Sequence, residues 1–185
     1  MIKEAVLDAE RRMKSAIQSL KDDLAGVRTG RANPGLIEKL SVEYYGSPVP
    51  LIQLATISVP EPRQLLIKPF DAGSIKEIER AIQTSDLGLT PISDGKVIRL
   101  NLPVLTEERR RDLNKFVNAR LEEGRIAIRN VRRDVNKDLK EFENEKLISE
   151  DELKEGEEKI QELTDHYTEE IGHVGEEKEK EIMEF

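Results

Sequence analysis

The sequence predicts an α+β protein in which an elongated three-helix bundle is interrupted, after its first helix, by a small inserted β/α/β domain joined through a two-stranded hinge. Two observations predict that class. Apolar residues recur at helical steps of three and four in the first 28 residues and again from about residue 107 onward, whereas residues 41–104 carry short β-branched and aromatic runs between Gly and Pro breakers. The charged fraction of 37%, against 37% hydrophobic and 4% aromatic residues with no Trp, suits long solvated helices over a thin core. It leaves little from which to build a deep enzyme pocket.

Ile2, Val6, Ala9, Met13, Ala16, Leu20, Leu24 and Val27 lie on one stripe of a first helix that runs to about Arg28. There RTGRANPG brings in Gly30, Pro34 and Gly35 and sets a boundary near Thr29. The runs SVEYY, ATISV, QLLIKPF and VIRLNL, punctuated by Gly46, Pro48, Pro50, Pro60, Pro62 and an SDG turn, read as strands of a small sheet. Between the third and fourth, SIKEIERAIQTSD reads as a helix with Ser74 as N-cap and Ile75, Ile78 and Ile82 on the face it lays against that sheet.

Pro103 ends the insert, and Thr106 followed by Glu107 and Glu108, at the positive end of a helix dipole, opens a long helix. Its stripe is Leu121, Ile128, Val131, Val135, Leu139 and Phe142. Ser149 and Glu152 have capping-box spacing and open a last helix with Leu153, Ile160, Leu163, Tyr167, Ile171, Val174 and Ile182 on its inward side. Gly172 and Gly175 each weaken that helix by about 1 kcal/mol relative to Ala, so its far end is expected to fray or bend. The two longer helices span roughly 50–60 Å at 1.5 Å per residue, and they can bury their stripes only against each other and the first. The expected division is residues 1–29 and 106–185 for the bundle and 30–105 for the insert. Two connections cross between them, with Thr29, Gly30 and Arg31 on one and Leu105 and Thr106 on the other. A double connection that bends while resisting twist reads as a hinge; an ordinary rigid junction is the alternative.

The formal net charge of -8 hides its distribution: residues 105–140 carry 11 basic and 7 acidic groups, and residues 141–185 carry 5 and 18. The acidic end reads as a solvated helix that keeps the protein soluble. RIAIRNVRRD, residues 125–134, crowds Arg125, Arg129, Arg132 and Arg133 together. At 100° per residue they share an arc of about 100°, beside the apolar seam and facing solvent. Asn136 lies on the same arc, Arg111 and Lys115 extend it toward the N-terminus, and Glu122 is its one acidic interruption, while Asp112, Glu123, Asp134, Asp138 and Glu141 gather on the far arc. Like charges spaced i, i+4 and i+7 repel by roughly a few tenths of a kcal/mol per pair, and with no i+4 carboxylate on that face the relief would come from an external polyanion. Guanidinium groups bond phosphate bidentately, so the row suits RNA or DNA phosphate; a solvated face with incidental clustering is the alternative. No aromatic is interleaved with the arginines and no short recognition helix suits a DNA half-site, so the expected target is folded RNA read by shape and backbone.

Other chemistries find little support. Without Cys there is no disulfide, thiolate nucleophile or cysteine zinc site, which suits a reducing cytoplasm. No apolar run approaches the roughly 18 residues of a membrane span, and MIKEAVLDAERR carries Glu4, Asp8 and Glu10, unlike a signal or transit peptide. His166 and His173, beside Glu169 and Glu170, read as part of a solvated face and not as metal ligands. GVRTGRANPG lacks phosphate-loop spacing, and Asp22 and Asp23 splay apart on a helix. No nucleophile, base and orienter can be named, so the chain reads as a cytoplasmic non-enzyme without metal or cofactor.

The stretches RTGRANPGLI, VEYYGSPVPLIQLATISV, SDLGLTPISDG, VIRLNLPVLTEERRRDL, RIAIRNVRRD and KIQELTD, in this order and from end to end, resemble the ribosome recycling factor family. The resemblance implies a long three-helix bundle carrying a hinged β/α/β domain, an L-shaped body of about transfer-RNA dimensions. It implies a role after termination, with the bundle across the A and P sites of the large ribosomal subunit and its arginine face on ribosomal RNA. Elongation factor G with GTP then acts against the hinged domain and the subunits separate, while the factor itself hydrolyses nothing. By position, Arg129 and Arg132 match the family's principal RNA-contacting arginines, with Arg28 beside them. Arg110 matches a further functional position, although an ideal wheel turns it toward the seam; Arg125 and Arg133 come from the wheel alone. The implied partners are the large ribosomal subunit and elongation factor G with GTP, with no DNA and no membrane, for a protein expected to be a monomer. Gly172 and Gly175 stand where relatives more often carry helix formers. A reading from another class is a coiled-coil-like adaptor whose arginine face docks an acidic protein, told apart by the salt dependence of binding.

Overall fold

Three amphipathic helices close on one apolar seam, and a small sheet with its own helix forms a second core. In a computed structural model describing residues 1–184, the helices are α1 (Ile2–Ala25), α2 (Ile75–Thr84), α3 (Glu107–Asn144) and α4 (Glu150–Glu184). The strands are β1 (Ser41–Tyr44), β2 (Ser47–Pro50), β3 (Ala55–Glu61), β4 (Gln64–Pro69), β5 (Pro91–Ser93) and β6 (Ile98–Asn101). Met1–Arg28 packs with Glu107–Glu184 as one compact unit, and Thr29–Thr106 forms another. The class is α+β, as the sequence predicts.

In the first unit α1, α3 and α4 each contact the other two. The seam buries Met13 and Leu20 from α1, Ile128 and Leu139 from α3, and Ile160 and Ile171 from α4. Ile17, four residues after Met13, joins this seam although the predicted stripe omits it. α1 stops at Ala25, three residues before the expected end, with Val27 N–H donating to Leu24 O at 3.1 Å in a closing turn. α3 ends in a Schellman arrangement: Leu147 N–H bonds Phe142 O at 2.8 Å, Lys146 N–H bonds Glu143 O at 2.9 Å, and Lys146 takes a φ of 61°. Two residues later Ser149 Oγ accepts from Glu152 N–H at 3.1 Å, so the predicted cap opens α4.

α4 runs as one helix through Gly172 and Gly175 to Glu184, so the fraying expected of its far end is not seen. Gly175 is buried, and a Cβ there would stand 2.5 Å from Leu121 Cδ1 on α3. Gly156 is buried likewise, with Leu139 Cδ1 3.0 Å from the place of its missing Cβ. On α3, a Cβ at Gly124 would meet Leu20 at 3.3 Å and Ile171 at 3.4 Å. These glycines cost helix propensity and permit close approach of backbones; Gly172, with nothing within 4 Å, has no such packing role.

The second unit holds a four-stranded antiparallel sheet, ordered β3-β4-β6-β5, and a β1-β2 hairpin. Alternation along β4 and β6 sends Leu65, Ile67, Ile98 and Leu100 inward, as cross-strand partners Leu65 with Leu100 and Ile67 with Ile98. They share a core with Ile75, Ile78 and Ile82 of α2. The sequence reading misses β2 and β5, whose Pro48, Pro50 and Pro91 look like breakers. β2 belongs to a two-stranded ribbon and β5 is an edge strand, where a missing N–H is tolerated. Tyr45 and Gly46 turn the first hairpin with φ values of 50° and 81°. Ser74 does not cap α2: it has helical backbone geometry and makes no side-chain cap bond. Asp71 Oδ1 instead accepts from Gly73 N–H at 2.9 Å, opening a 3-10 turn that leads into the helix.

Gly172→Ala is expected to raise the unfolding free energy by about 0.5–1 kcal/mol through helix propensity alone. Gly175→Ala is expected to lower it by about 1 kcal/mol, because Leu121 must be displaced. Guanidinium chloride unfolding of both variants measures the contrast, and equal stabilisation by both would remove the close-approach constraint.

Candidate nucleic-acid interface

α3 carries its arginines on a face shared with α4. Arg129, Arg132 and Arg133 line a broad groove of about 1040 Å³, to which α3 also contributes Asn136, Lys137 and Lys140, and α4 contributes Glu157 and Gln161. The helical repeat places the basic side chains in one row, and the packing of α4 beside α3 supplies the opposite wall.

Each arginine has a defined partner. Glu122 Oε1 accepts from Arg129 Nη2 at 2.8 Å, and its Oε2 lies 3.4 Å from Arg125 Nη1. One carboxylate thus holds two guanidinium groups, at i+3 and i+7, so no i+4 carboxylate is used, but the expectation that relief would come from an external polyanion is corrected for the N-terminal half of the row. The hydrogen bond from Arg129 is the largest influence holding the Glu122 carboxyl below its ordinary range, with Arg125 adding to it against some desolvation. Arg132 Nη1 donates to Gln161 Oε1 on α4 at 2.9 Å, and Arg133 Nη2 donates to Asn130 Oδ1 at 3.0 Å. Among the described residues, neither Arg132 nor Arg133 takes a carboxylate partner. With Lys137 and Lys140 they set four cations along the C-terminal half of the row, where Glu141 and Glu157 line the same groove without pairing to either arginine. Asn136 Oδ1, at the same groove, is enclosed without a hydrogen-bond partner.

Of the carboxylates expected on the far arc, Asp134 and Glu123 have a structural use, whereas Glu141 lines the groove, because the groove wraps further round α3 toward its C-terminus than the arginine arc. Asp134 takes Arg12 of α1 at 2.9 Å, and Arg120 reaches both Glu123 and Asp23 of α1. The sorting of charge by face therefore serves packing between α1 and α3 on one side while concentrating cations on the other. Such exposed pairs contribute about 0–1 kcal/mol each, so their part is mainly to take these carboxylates away from the groove.

The other predicted site residues lie apart from the groove. Arg110, half-buried in the first turn of α3, has its Nε enclosed without a partner, as the seam-facing wheel position suggests. It precedes Arg125 by 15 residues, about 22 Å along the helix. Arg28 is exposed beyond the end of α1. Thr29 is buried, Gly30 has a φ of 85° and is half-buried with Leu105, and Arg31 and Thr106 are exposed. The sequence reading misses Lys137, Lys140, Asn130, Glu157 and Gln161. Lys140, about 60° from Arg125 on the wheel, was within reach of it; the α4 residues were not. Among the described residues no cluster of three or more metal-ligating side chains occurs, and no helix is long and apolar enough to cross a membrane.

A three-helix bundle with an arginine- and lysine-bearing groove, in a chain with a second small α/β unit that has its own core, defines the class of protein. The family model for "Ribosome recycling factor" matches residues 20–183. The ribosome-recycling factor of Roseiflexus castenholzii is 54% identical over 185 residues, covering all of both chains, and that of Halalkalibacterium halodurans is 56% identical over 184 residues, with the same full coverage. A solution structure of the ribosome recycling factor aligns with a TM-score of 0.76 at 46% identity, covering 100% of this chain and 98% of that one. A chain from models for the T. thermophilus ribosome recycling factor and the E. coli elongation factor G bound to the E. coli post-termination complex aligns with a TM-score of 0.66 at 46% identity, over 98% of each chain. The chain belongs to the ribosome recycling factor family.

The Glu122 pairing has a pH signature. Its carboxyl is depressed in the folded chain, so its stabilising contribution is fully present above the ordinary glutamate range of the unfolded state and is lost as pH falls through the lower folded value. Arg129→Gln is expected to move the Glu122 titration, followed by carboxyl carbon NMR, upward toward that ordinary range; an unmoved midpoint would assign the depression elsewhere.

Proposed function

We propose that this chain is a translation factor that binds the post-termination ribosome and, with elongation factor G and GTP, splits it into subunits that can be reused. The observation that carries the reading is full-length identity of 54–56% to ribosome-recycling factors, supported by the fold and the basic groove. The factor works in the cytoplasm as a monomer and has no reaction of its own. The energy of GTP is the partner's, and this chain supplies binding, shape and a moving part.

The groove on α3 is the grip. Arg132 and Arg133, held by amides, and Arg125 and Arg129, buffered by Glu122, face the phosphate backbone of ribosomal RNA in the large subunit. Arg28 and Arg110 extend the contact beyond the groove, on the strength of the family resemblance. The bundle, residues 1–29 and 106–185, serves as the base, and the insert, residues 30–105, serves as the lever. Thr29, Gly30 and Arg31 on one connection and Leu105 and Thr106 on the other form the hinge, where the positive φ of Gly30 suits a turning point. Elongation factor G drives the insert while the arginine face stays on RNA. The adaptor alternative shares the arginine face but has no counterpart in the family to which the chain belongs.

Phosphate contacts release counterions, so affinity for isolated large subunits is expected to fall with salt. Arg132→Ala should reduce the logarithmic slope by about 0.7–0.9. A slope that this substitution leaves untouched favours docking on an acidic protein. A cross-link spanning Thr29 and Thr106 that locks the insert is expected to leave subunit binding intact and to abolish splitting in a dissociation assay with elongation factor G and GTP. Full splitting by the cross-linked protein would remove the hinge from the account.

A further inference from the structure

We propose that Gln161 of α4 is the positioning residue for Arg132: a neutral anchor that fixes the direction of the guanidinium group while leaving its charge available to phosphate. The inference rests on the reading of the groove as an RNA-binding face.

Three observations carry it. Arg132 Nη1 donates to Gln161 Oε1 at 2.9 Å across the two helices. Gln161 Nε2 in turn donates to Asp165 Oδ1, one turn further along α4, at 2.8 Å. The second bond sets the first. An amide has a donor end and an acceptor end, and reversing it would turn its NH2 toward a guanidinium group that can only donate. Asp165 captures the NH2 and so aims the oxygen at Arg132. The third observation is the contrast within the row, since Arg125 and Arg129 are held by the Glu122 carboxylate, which cancels charge as it positions. At Arg132 the anchor carries no charge.

The two kinds of anchor predict different behaviour. An arginine on a carboxylate must exchange one anion for another when phosphate arrives, which reduces the net gain from that contact. An arginine on an amide meets phosphate with its full charge and with part of its rotational freedom already restricted, which lowers the entropic cost of binding. The row is thereby divided into a buffered N-terminal half and a primed C-terminal half, with Gln161 responsible for the priming. Lys137 and Lys140 line the same groove together with Glu141 and Glu157, so the distinction between the halves lies in what each arginine is bonded to and not in the lysines.

The test uses the full-length chain and isolated large ribosomal subunits, with affinity measured across a salt series and helicity and thermal unfolding checked for each variant. Gln161→Ala removes the anchor and keeps the charge, so affinity should fall by about 2- to 10-fold with the salt slope unchanged. Gln161→Glu keeps the anchor and neutralises the charge, so the slope should fall by about 0.7–0.9, approaching that of Arg132→Ala. A helix packing role for Gln161 would not produce that pair of outcomes. If Arg132→Ala lowers the slope while Gln161→Glu does not, or if Gln161→Ala binds as tightly as the native chain, the positioning role is overturned and the RNA reading stands. If Arg132→Ala itself leaves the slope unchanged, the RNA reading fails and takes this inference with it.

Discussion

The close approach of α4 to α3 is the constraint on which the functional face depends. A chain with few aromatics and long charged helices has a narrow seam to bury, and side chains of ordinary size at every inward position would hold the helices apart. Gly156 against Leu139 and Gly175 against Leu121 let α4 lie close along α3, and Gly124 does the same where Leu20 and Ile171 meet it. Each glycine gives up about 1 kcal/mol of helix propensity. The return is contact along both helices and a groove wall close enough for Gln161 to reach Arg132.

That packing gives the arginine row a structure which its wheel position does not reveal. Glu122 buffers Arg125 and Arg129, and amides hold Arg132 and Arg133. Away from the groove, Asp134 of α3 is engaged by Arg12 of α1, and Arg120 of α3 by Asp23 of α1 and by Glu123 on its own helix, so these charges are tied up where α1 and α3 pack. An acidic protein can in this way keep a strongly basic surface. Long-range repulsion from the rest of the chain is screened within about 8–10 Å at physiological salt, and local sorting decides what a bound polyanion meets.

The insert follows a different logic. Its core depends on two central strands whose inward residues pair across the sheet, Leu65 with Leu100 and Ile67 with Ile98, closed by the three isoleucines of α2. Proline-bearing β2, β3 and β5 have no neighbour on one side, which also blunts those edges against pairing with another chain, and Pro69 of the central β4 lies beyond the residues that pair with β6.

Local pattern was enough for much of this. Periods of 3.6 and 2 located the three long helices, α2 and four of the six strands, since burying one face of a helix or strand dictates which positions are apolar. Ser149 was legible as a cap and the arginine arc as a face because both are properties of a single segment. Asp71, and not Ser74, leads into α2, since a 3-10 turn intervenes that composition does not announce. Proline hid β2 and β5, because only sheet order tells an edge from a centre. The role of Gly175, the pairing of Glu122 with two arginines, and Gln161 as the partner of Arg132 were decided by tertiary structure. Each depends on atoms of different helices or turns meeting at a few ångströms, and a one-dimensional pattern states which face a residue occupies but not what stands across from it.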